Sequence, residues 1–133
     1  MDEVSAAGAE ATAVYFLQLY PYVYATGDLS EWRELSHPEC VFCSSVISNV
    51  EDQMAAGDWS RGGLIALESV ETTEVSHDTF GVRILAVQGP GIEYGPDGEV
   101  VDESDGSHSE LNLVVLRTDS EWIVRAVQVD EAE

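Results

Sequence analysis

The residues with the most reactive side chains lie close together, in the segment from Ser36 to Cys43. Cys40 and Cys43 are the two cysteines of the chain, and His37 is one of its three histidines. A separation of three residues at the start of a helix brings both sulfurs to one face, with the Cα atoms close enough for a disulfide. In an oxidising compartment we expect this bond to form, and the chain-entropy model assigns so short a loop about 2 kcal/mol at most.

The same sulfurs could serve redox chemistry, which needs a thiol pKa lowered by its surroundings, as at a helix N-terminus. No strand of a βαβ unit precedes the motif, and the intervening Val41 and Phe42 are bulky and apolar. We therefore predict a structural disulfide between Cys40 and Cys43 rather than a redox-active pair.

A metal site is the third chemistry open to this segment, because His37, Cys40 and Cys43 are evenly spaced. A fourth ligand would have to come from His77 or His108, which fall in distant predicted loops. Zinc ligands usually arrive as paired clusters, which this sequence lacks. We predict no metal site here and interpret His37 as a capping or hydrogen-bonded histidine.

The acidic segment 97–110 has the composition of a calcium loop but not its spacing. Counting from Asp102, Ser107 occupies the position where an EF-hand loop requires glycine, and no bidentate glutamate follows at the right distance. We expect only weak, screened attraction of cations in this segment.

The charge balance excludes whole classes of partner. The formal net charge is −21, and the five basic residues are all arginines, so the chain contains no lysine. Such a surface repels phosphate backbones and anionic lipid head groups, which disfavours nucleic acid and direct membrane-surface partners. The simplest interpretation is a solvated acidic surface rather than a dedicated cation site.

Three helices are predicted in the first half of the chain. In the first, apolar residues such as Phe16 and Leu17 fill two adjoining faces, so this helix is buried on more than one side or faces a partner. Pro21 predicts a kink or a restart there, because proline has no N–H and clashes with the preceding turn. Asp28 and Pro38 mark the starts of the other two. The predicted helices span 9–26, 29–35 and about 39–56.

The second half of the chain alternates apolar and polar residues, which is typical of strands. The clearest case places Phe80, Val82, Ile84 and Ala86 on one face, and Pro96-Asp97-Gly98 is a good hairpin turn. Helices followed by an antiparallel meander predict an α+β fold, in which the N-terminal helices pack in a curved antiparallel sheet. The predicted strands span 64–75, 79–88, 92–94, 99–101, 111–117 and 121–129.

The length of 133 residues predicts one domain. We expect residues 1–8 to form a disordered linker and residues 9–133 to form a single cone-like α+β domain. No run of residues reaches a transmembrane length, and no basic segment followed by an apolar one begins the chain. We expect that any targeting segment upstream of this sequence was either removed or never present.

The order of elements resembles the cone-shaped superfamily of nuclear transport factor 2, ketosteroid isomerase and polyketide cyclases. More closely, Tyr24-Ala-Thr-Gly-Asp28 followed by Leu35-Ser-His-Pro-Glu-Cys-Val-Phe-Cys-Ser-Ser45 is similar to an uncharacterised family of secreted bacterial lipoproteins. This resemblance implies a nuclear transport factor 2-like cone, an extracytoplasmic location and an upstream lipid anchor, but no reaction. The early hairpin usual before the third helix is not visible, so the cone is expected to be short or open at that end.

The superfamily's catalytic members place a general base and a phenol or acid against an apolar pocket. Here aromatic residues could line such a pocket, but the inward-facing strand positions offer no carboxylate, and aromatic side chains are more often plain core. No nucleophile elbow, phosphate-binding loop or Ser/His/Asp set is present, so we predict no catalytic residue. The candidate pocket residues are Tyr15, Tyr20, Tyr24, Trp32, Phe42 and Phe80.

The predicted function is non-catalytic binding of a small apolar ligand or a partner protein at the cell envelope, without a cofactor. The alternative is an isomerase- or cyclase-like enzyme that uses the same cavity. A third hypothesis is an interaction domain that forms a homodimer through its sheet. Nucleic acid is not expected as a partner, and contact with a membrane is expected only through the upstream anchor.

Overall fold

The computed structural model describes residues 5–118 and 121–131 of the chain. Within them, three helices are followed by seven strands. The helices pack against a curved antiparallel sheet, which confirms the predicted fold class. The helices are α1 (Ala6–Thr26), α2 (Ser30–Leu35) and α3 (Val41–Ala56), and the strands are β1 (Trp59–Gly62), β2 (Ile65–Ser76), β3 (Thr79–Gln88), β4 (Gly91–Tyr94), β5 (Val100–Ser104), β6 (Ser107–Arg117) and β7 (Trp122–Glu131).

Helix α1 begins at Ala6, earlier than the predicted start at residue 9. Ser5 is its N-cap, and the side-chain oxygen accepts a hydrogen bond of 3.2 Å from the Gly8 N–H. A serine cap satisfies one of the free N–H groups of the first turn, which the sequence prediction overlooked. The helix therefore overlaps the predicted linker 1–8, whose first four residues lie outside the described residues.

Pro21 lies inside one continuous helix and does not restart it. Of the two predicted alternatives, a kink or a restart, the restart is therefore wrong. Because proline has no N–H, the carbonyl of Leu17, one turn earlier, receives no helical hydrogen bond from position 21. The helix ends at Gly27, whose φ of 75° lies in the left-handed region that glycine adopts readily.

The start of helix α3 differs from the prediction by two residues. Cys40, rather than Ser36 or His37, is the N-cap, and its sulfur accepts a hydrogen bond of 3.2 Å from the Cys43 N–H. Ser36 remains extended because it forms a parallel bridge with Val124 of β7. The segment between α2 and α3 is thereby attached to the sheet before the helix begins.

The main sheet has four long antiparallel strands in the order β2-β3-β6-β7. The four β3 residues predicted to face inward are all at most 4% exposed. Register shifts occur between Leu67 and Ser69 in β2 and beside Val114 in β6. Such irregularities increase the local twist of a sheet and bend it, and this one curves over the helices.

A smaller sheet has the strand order β1-β4-β5. The hairpin between β4 and β5 turns at the predicted residues, with Gly98 at a φ of 85°. Strand β1 was not predicted, because its four residues show no apolar alternation and are specified by pairing with β4, as between Ser60 and Glu93. Much of the predicted acidic loop 97–110 is also strand, since it supplies β5 and the beginning of β6.

One end of the cone is closed by large aromatic side chains. The rings of Phe16 and Trp32 stack with their centroids 3.8 Å apart, and the Trp32 indole N–H donates a hydrogen bond of 3.1 Å to the Cys43 carbonyl. Phe80 and Trp122 pack with centroids 5.6 Å apart. We call this region, together with the Cys40–Cys43 segment, the closed end.

Candidate functional site

A cavity of about 120 Å³ lies between helices α1 and α3 and the inner face of the main sheet. This is close to the size of an engineered cavity of about 150 Å³ that binds benzene, and well below the roughly 300–1,000 Å³ of sites for drug-sized ligands. The cone cavity therefore matches a single small ring or a short branched chain. Its wall is formed by Leu17, Tyr20, Phe42, Ile65, Ala86, Gln88, Ser107, Ser109, Leu111 and Val129.

The polar part of the cavity wall comes from two neighbouring strands. Ala86 and Gln88 are two residues apart in β3, so their side chains point to the same face of the sheet. They pair in register with Ser109 and Ser107 of β6, which places three polar side chains side by side. The Gln88 amide donates a hydrogen bond of 3.1 Å to the Gly63 carbonyl, which orients it.

Tyr20 stands at the boundary of the cavity. Its ring centroid lies 5.1 Å from that of Tyr24 and 6.2 Å from that of Phe42. Burial, followed by the neighbouring Tyr24, raises the pKa of Tyr20 to about 12. The phenol therefore stays protonated at neutral pH and offers a hydrogen-bond donor rather than a base.

A wider groove of about 280 Å³ lies beside the cavity, and Tyr20 and Gln88 contribute to the walls of both spaces. The groove lies where the end of helix α1 meets the small sheet. We call it the acidic groove, because carboxylates outnumber cations on its wall. The charged side chains that line it are Glu93, Asp102, Glu103 and Arg61.

Glu93 is a charged residue of the groove whose pKa is shifted from its ordinary value. It is half-buried, and Asp102 lies directly opposite it on β5. Burial raises the pKa of Glu93, as do the hydrogen bond that its protonated carboxyl group donates to the neighbouring Asp58 and the negative charges of Asp58 and Asp102. Like charges directly opposite each other on neighbouring strands destabilise a sheet, so this arrangement carries an energetic cost.

The structure brings four of the six predicted pocket residues together. Tyr20 and Phe42 line the cavity, and Tyr24 lines the acidic groove. Trp32 lies behind them, with its centroid 6.3 Å from both Tyr20 and Phe42. Because Trp32 is fully buried and hydrogen-bonded, it supports the wall rather than forming it.

The other two predicted pocket residues lie elsewhere. Tyr15 is exposed on the solvent side of helix α1, where its hydroxyl donates a hydrogen bond to the Glu31 carboxylate. Phe80 is buried at the closed end against Trp122. Their involvement in ligand binding stays a prediction that their positions do not support.

The disulfide between Cys40 and Cys43 is confirmed, with Cα atoms 5.3 Å apart. Both residues are at most 1% exposed, which suits a structural link rather than exchange with external thiols. Disulfides persist mainly in oxidising compartments, so the bond indicates an extracytoplasmic location. Among the described residues, no helix combines the length and apolar character needed to cross a membrane.

Each of the three histidines has its own hydrogen-bond or ion-pair partner, and the three do not form a common site. His37 is not the N-cap of α3, but it accepts a hydrogen bond of 3.0 Å from the Glu39 N–H through Nδ1, which fits the alternative prediction of a hydrogen-bonded histidine. His108 pairs with Glu68 at 2.6 Å, and His77 lies 3.8 Å from an adjacent aspartate. Within residues 5–118 and 121–131, no three His, Cys, Asp or Glu side chains are grouped so as to hold a metal ion.

Several site residues were missed by the sequence reasoning. Gln88, Ser107 and Ser109 are polar residues at inward-facing positions, so they weaken the apolar alternation by which strand faces are recognised. For Gln88 a signal existed, because it follows Ala86 by two positions in the predicted strand 79–88. Glu93 belongs to the site only through strand pairing, which the sequence pattern does not reveal.

Comparison with known proteins supports the fold. A family model described as a family of unknown function (DUF6318) matches residues 1–128. No curated protein sequence matches the chain. The solved intermembrane space region of the chloroplast protein ARC6 is 9% identical, with a TM-score of 0.70 over 96% of this chain and 98% of that one.

Two bacterial structures are also similar, at lower TM-scores. An uncharacterised protein with a cystatin-like fold from Caulobacter vibrioides is 11% identical, with a TM-score of 0.59 over 95% of this chain and 91% of that one. ActVI-ORFA from Streptomyces coelicolor is 13% identical, with a TM-score of 0.57 over 93% and 97%. At these identities the similarity establishes the fold alone, which is the nuclear transport factor 2-like cone. Proteins with this fold include enzymes and proteins of unknown role.

Proposed function

The chain belongs to the family of unknown function DUF6318, and we propose that it is an extracytoplasmic binding domain that holds a small apolar group in its cone cavity. In this proposal the domain binds its ligand without catalysing a reaction. Its location at the cell envelope depends on an upstream export signal and lipid anchor.

The composition of the cavity wall is the observation that carries this proposal. The described residues that line the cavity include no carboxylate and no histidine. General acid–base catalysis needs a group whose pKa lies near the working pH, and the pKa of Tyr20 is about 12. A wall of apolar groups with a few hydrogen-bonding side chains at one end is typical of a ligand site.

The proposed location is supported by the disulfide and by the charge of the chain. A buried disulfide suits an oxidising compartment. A net charge of −21 repels anionic lipid head groups, so in this proposal the domain is attached by a covalent anchor. Sequencing the gene upstream of Met1 tests this part, because an intact gene without an export signal would contradict it.

The isomerase- or cyclase-like alternative is favoured by one observation, the raised pKa of Glu93. A carboxyl group with a raised pKa next to an apolar cavity is a candidate general acid or base. Glu93 lines the acidic groove rather than the cavity, so it would serve only a substrate that extends into the groove. Deuterium incorporation into a cyclic enone in D2O, lost on Glu93→Gln, would support the enzyme instead.

The direct test of binding is a titration with toluene, followed by NMR of the backbone amides. We expect saturable shifts at cavity residues such as Leu17, Ala86 and Leu111. Ala86→Leu fills the cavity and should abolish the shifts, whereas Ala66→Leu, on the exposed face of the neighbouring strand, should leave them unchanged. The absence of saturable shifts, or equal shifts in Ala86→Leu, would contradict the proposal.

A further inference from the structure

The sheet side of the cone cavity is formed where the inward-facing side chains change from large to small. Ala86 of β3 pairs in register with Ser109 of β6, and the next inward pair along the same strands is Ile84 with Leu111. Ile84 and Leu111 are both buried, so their side chains fill the space above that part of the sheet. The small side chains of the Ala86–Ser109 pair leave space unfilled, and both residues line the cavity of about 120 Å³.

The same face of the sheet changes from apolar to polar at this point. In β6, Ser109 takes the inward position next to Leu111, and Ser107 takes the one beyond it, opposite Gln88 of β3. We call Gln88, Ser107 and Ser109 the polar row, and all three residues line the cavity. The inner wall of the cavity therefore combines an apolar surface with one polar side.

The polar row retains hydrogen-bonding capacity that the protein does not use. Within the described part of the chain, neither the Ser107 nor the Ser109 hydroxyl has a hydrogen-bond partner. The Gln88 amide spends one N–H on the Gly63 carbonyl, which fixes its orientation and leaves a second N–H and the amide oxygen. Because Ser109 and Gln88 are half-buried, their remaining hydrogen bonds must be made with whatever fills the cavity.

The charges around the cavity disfavour an ionised ligand. The described residues of its wall include no charged side chain. Moving a charged group out of water without a counter-charge costs far more than moving a neutral hydroxyl or carbonyl group, whose cost one or two hydrogen bonds offset. The net charge of −21 further opposes an anion. The polar row therefore suits a neutral polar group.

We propose that the ligand of the cone cavity is a neutral molecule with one small ring or a short branched chain and a single hydroxyl or carbonyl oxygen, which the polar row binds. This inference rests on the proposed function, because it names the chemical class of the molecule held in the same cavity. The apolar part lies against side chains such as Leu17 and Phe42. The oxygen accepts hydrogen bonds from the serine hydroxyls and from the second amide N–H of Gln88.

The test titrates the protein with five one-ring probes at neutral pH, followed by NMR of the backbone amides. Toluene and phenol have nearly the same shape and differ in the hydroxyl group, while cyclohexanone presents a carbonyl oxygen. Benzoate and benzylamine carry a negative and a positive charge. We expect phenol and cyclohexanone to bind more tightly than either charged probe, and the tighter of the two identifies which oxygen the polar row prefers.

Ser109→Ala tests the polar row directly. It should weaken the binding of phenol and cyclohexanone about fivefold and leave toluene binding unchanged, because one hydrogen bond is lost without a change in the apolar wall. The matched control is Ser69→Ala, at an exposed position of β2 outside the cavity wall, which should change none of the affinities. If toluene binds but phenol and cyclohexanone are unaffected by Ser109→Ala, or if a charged probe binds more tightly than both, the inference is overturned and the proposed function stands. Failure of all three neutral probes to bind overturns both.

Discussion

The two ends of the cone differ in how tightly their side chains pack and in how their charges are arranged. At the closed end, Phe16 and Trp32 stack at 3.8 Å, and Trp32 also bonds the backbone of the disulfide segment. We call the region that holds the cavity and the acidic groove the open end. There, space remains between the helices and the sheets, and Glu93 is held close to other carboxylates. The difference indicates that tight packing at the closed end offsets two energetic costs at the open end. These are the unfilled space and the repulsion between neighbouring carboxylates.

The largest effect is expected from Trp32→Ala at the closed end. Loss of the fully buried indole leaves a large cavity and removes the hydrogen bond to the Cys43 carbonyl, so the free energy of unfolding should fall by about 3–5 kcal/mol. Phe42→Ala, at the half-buried cavity wall, should cost only about 1–2 kcal/mol. Denaturant unfolding measures both, with Val41→Ala, at a position that is 80% exposed, as the control. If Trp32→Ala and Phe42→Ala lowered the free energy of unfolding equally, the two ends would not differ in packing as described.

A smaller effect is expected from removing the disulfide by Cys40→Ala with Cys43→Ala. The closed loop is short, so the free energy of unfolding should fall by about 2 kcal/mol at most. Since both sulfurs are buried, reductant should raise the mass of the wild-type protein by about 2 Da only when denaturant is also present. The variant should still bind toluene. Loss of toluene binding in a folded variant would mean that the closed end also shapes the cavity.

The smallest effect is expected in the pH dependence of stability. The pKa of Glu93 is raised in the folded protein, so the folded state binds more protons than the unfolded state between the ordinary glutamate pKa and the raised one. Stability should therefore decrease as the pH rises through this window, by about 0.5 kcal/mol or less for a partly exposed group.

Glu93→Gln isolates this contribution. The difference in the free energy of unfolding between the variant and the wild type should be small below pH 4 and should grow in favour of the variant above it. Carboxylates with lowered pKa values, such as Asp78 and Glu110, have the opposite pH dependence but occur in both proteins and cancel. A difference that stays constant from pH 4 to pH 8 would mean that the groove imposes no electrostatic cost.

The closed end was largely predictable from the sequence. The alternation in residues 79–88 identified the buried face of β3, and the spacing of Cys40 and Cys43 identified the disulfide. Both depend on local patterns, in which neighbouring residues in the chain carry the signal. The start of α3 was missed because Ser36 is held extended by Val124, a residue far away in the sequence.

The open end was predictable only in part. Tyr20 and Phe42 were identified because aromatic residues on the helices must face the sheet. The cavity's polar side chains and the pair of Glu93 with Asp102 depend on the register between strands, and polar residues conceal the alternation that would reveal it. The expectation that aromatic residues on the helices face the sheet also led to the prediction of Tyr15 as a pocket residue. In the structure its side chain is exposed to solvent.

The proline of helix α1 has a mechanical consequence for this end. Pro21 lines the acidic groove, and the carbonyl that it leaves without a helical donor belongs to Leu17, on the cavity wall. Helices bend most readily at such a break in the hydrogen-bond ladder. Any bending of α1 at Pro21 would therefore move residues of the cavity wall and of the acidic groove together, and would change the volume of both spaces without a change of side chain.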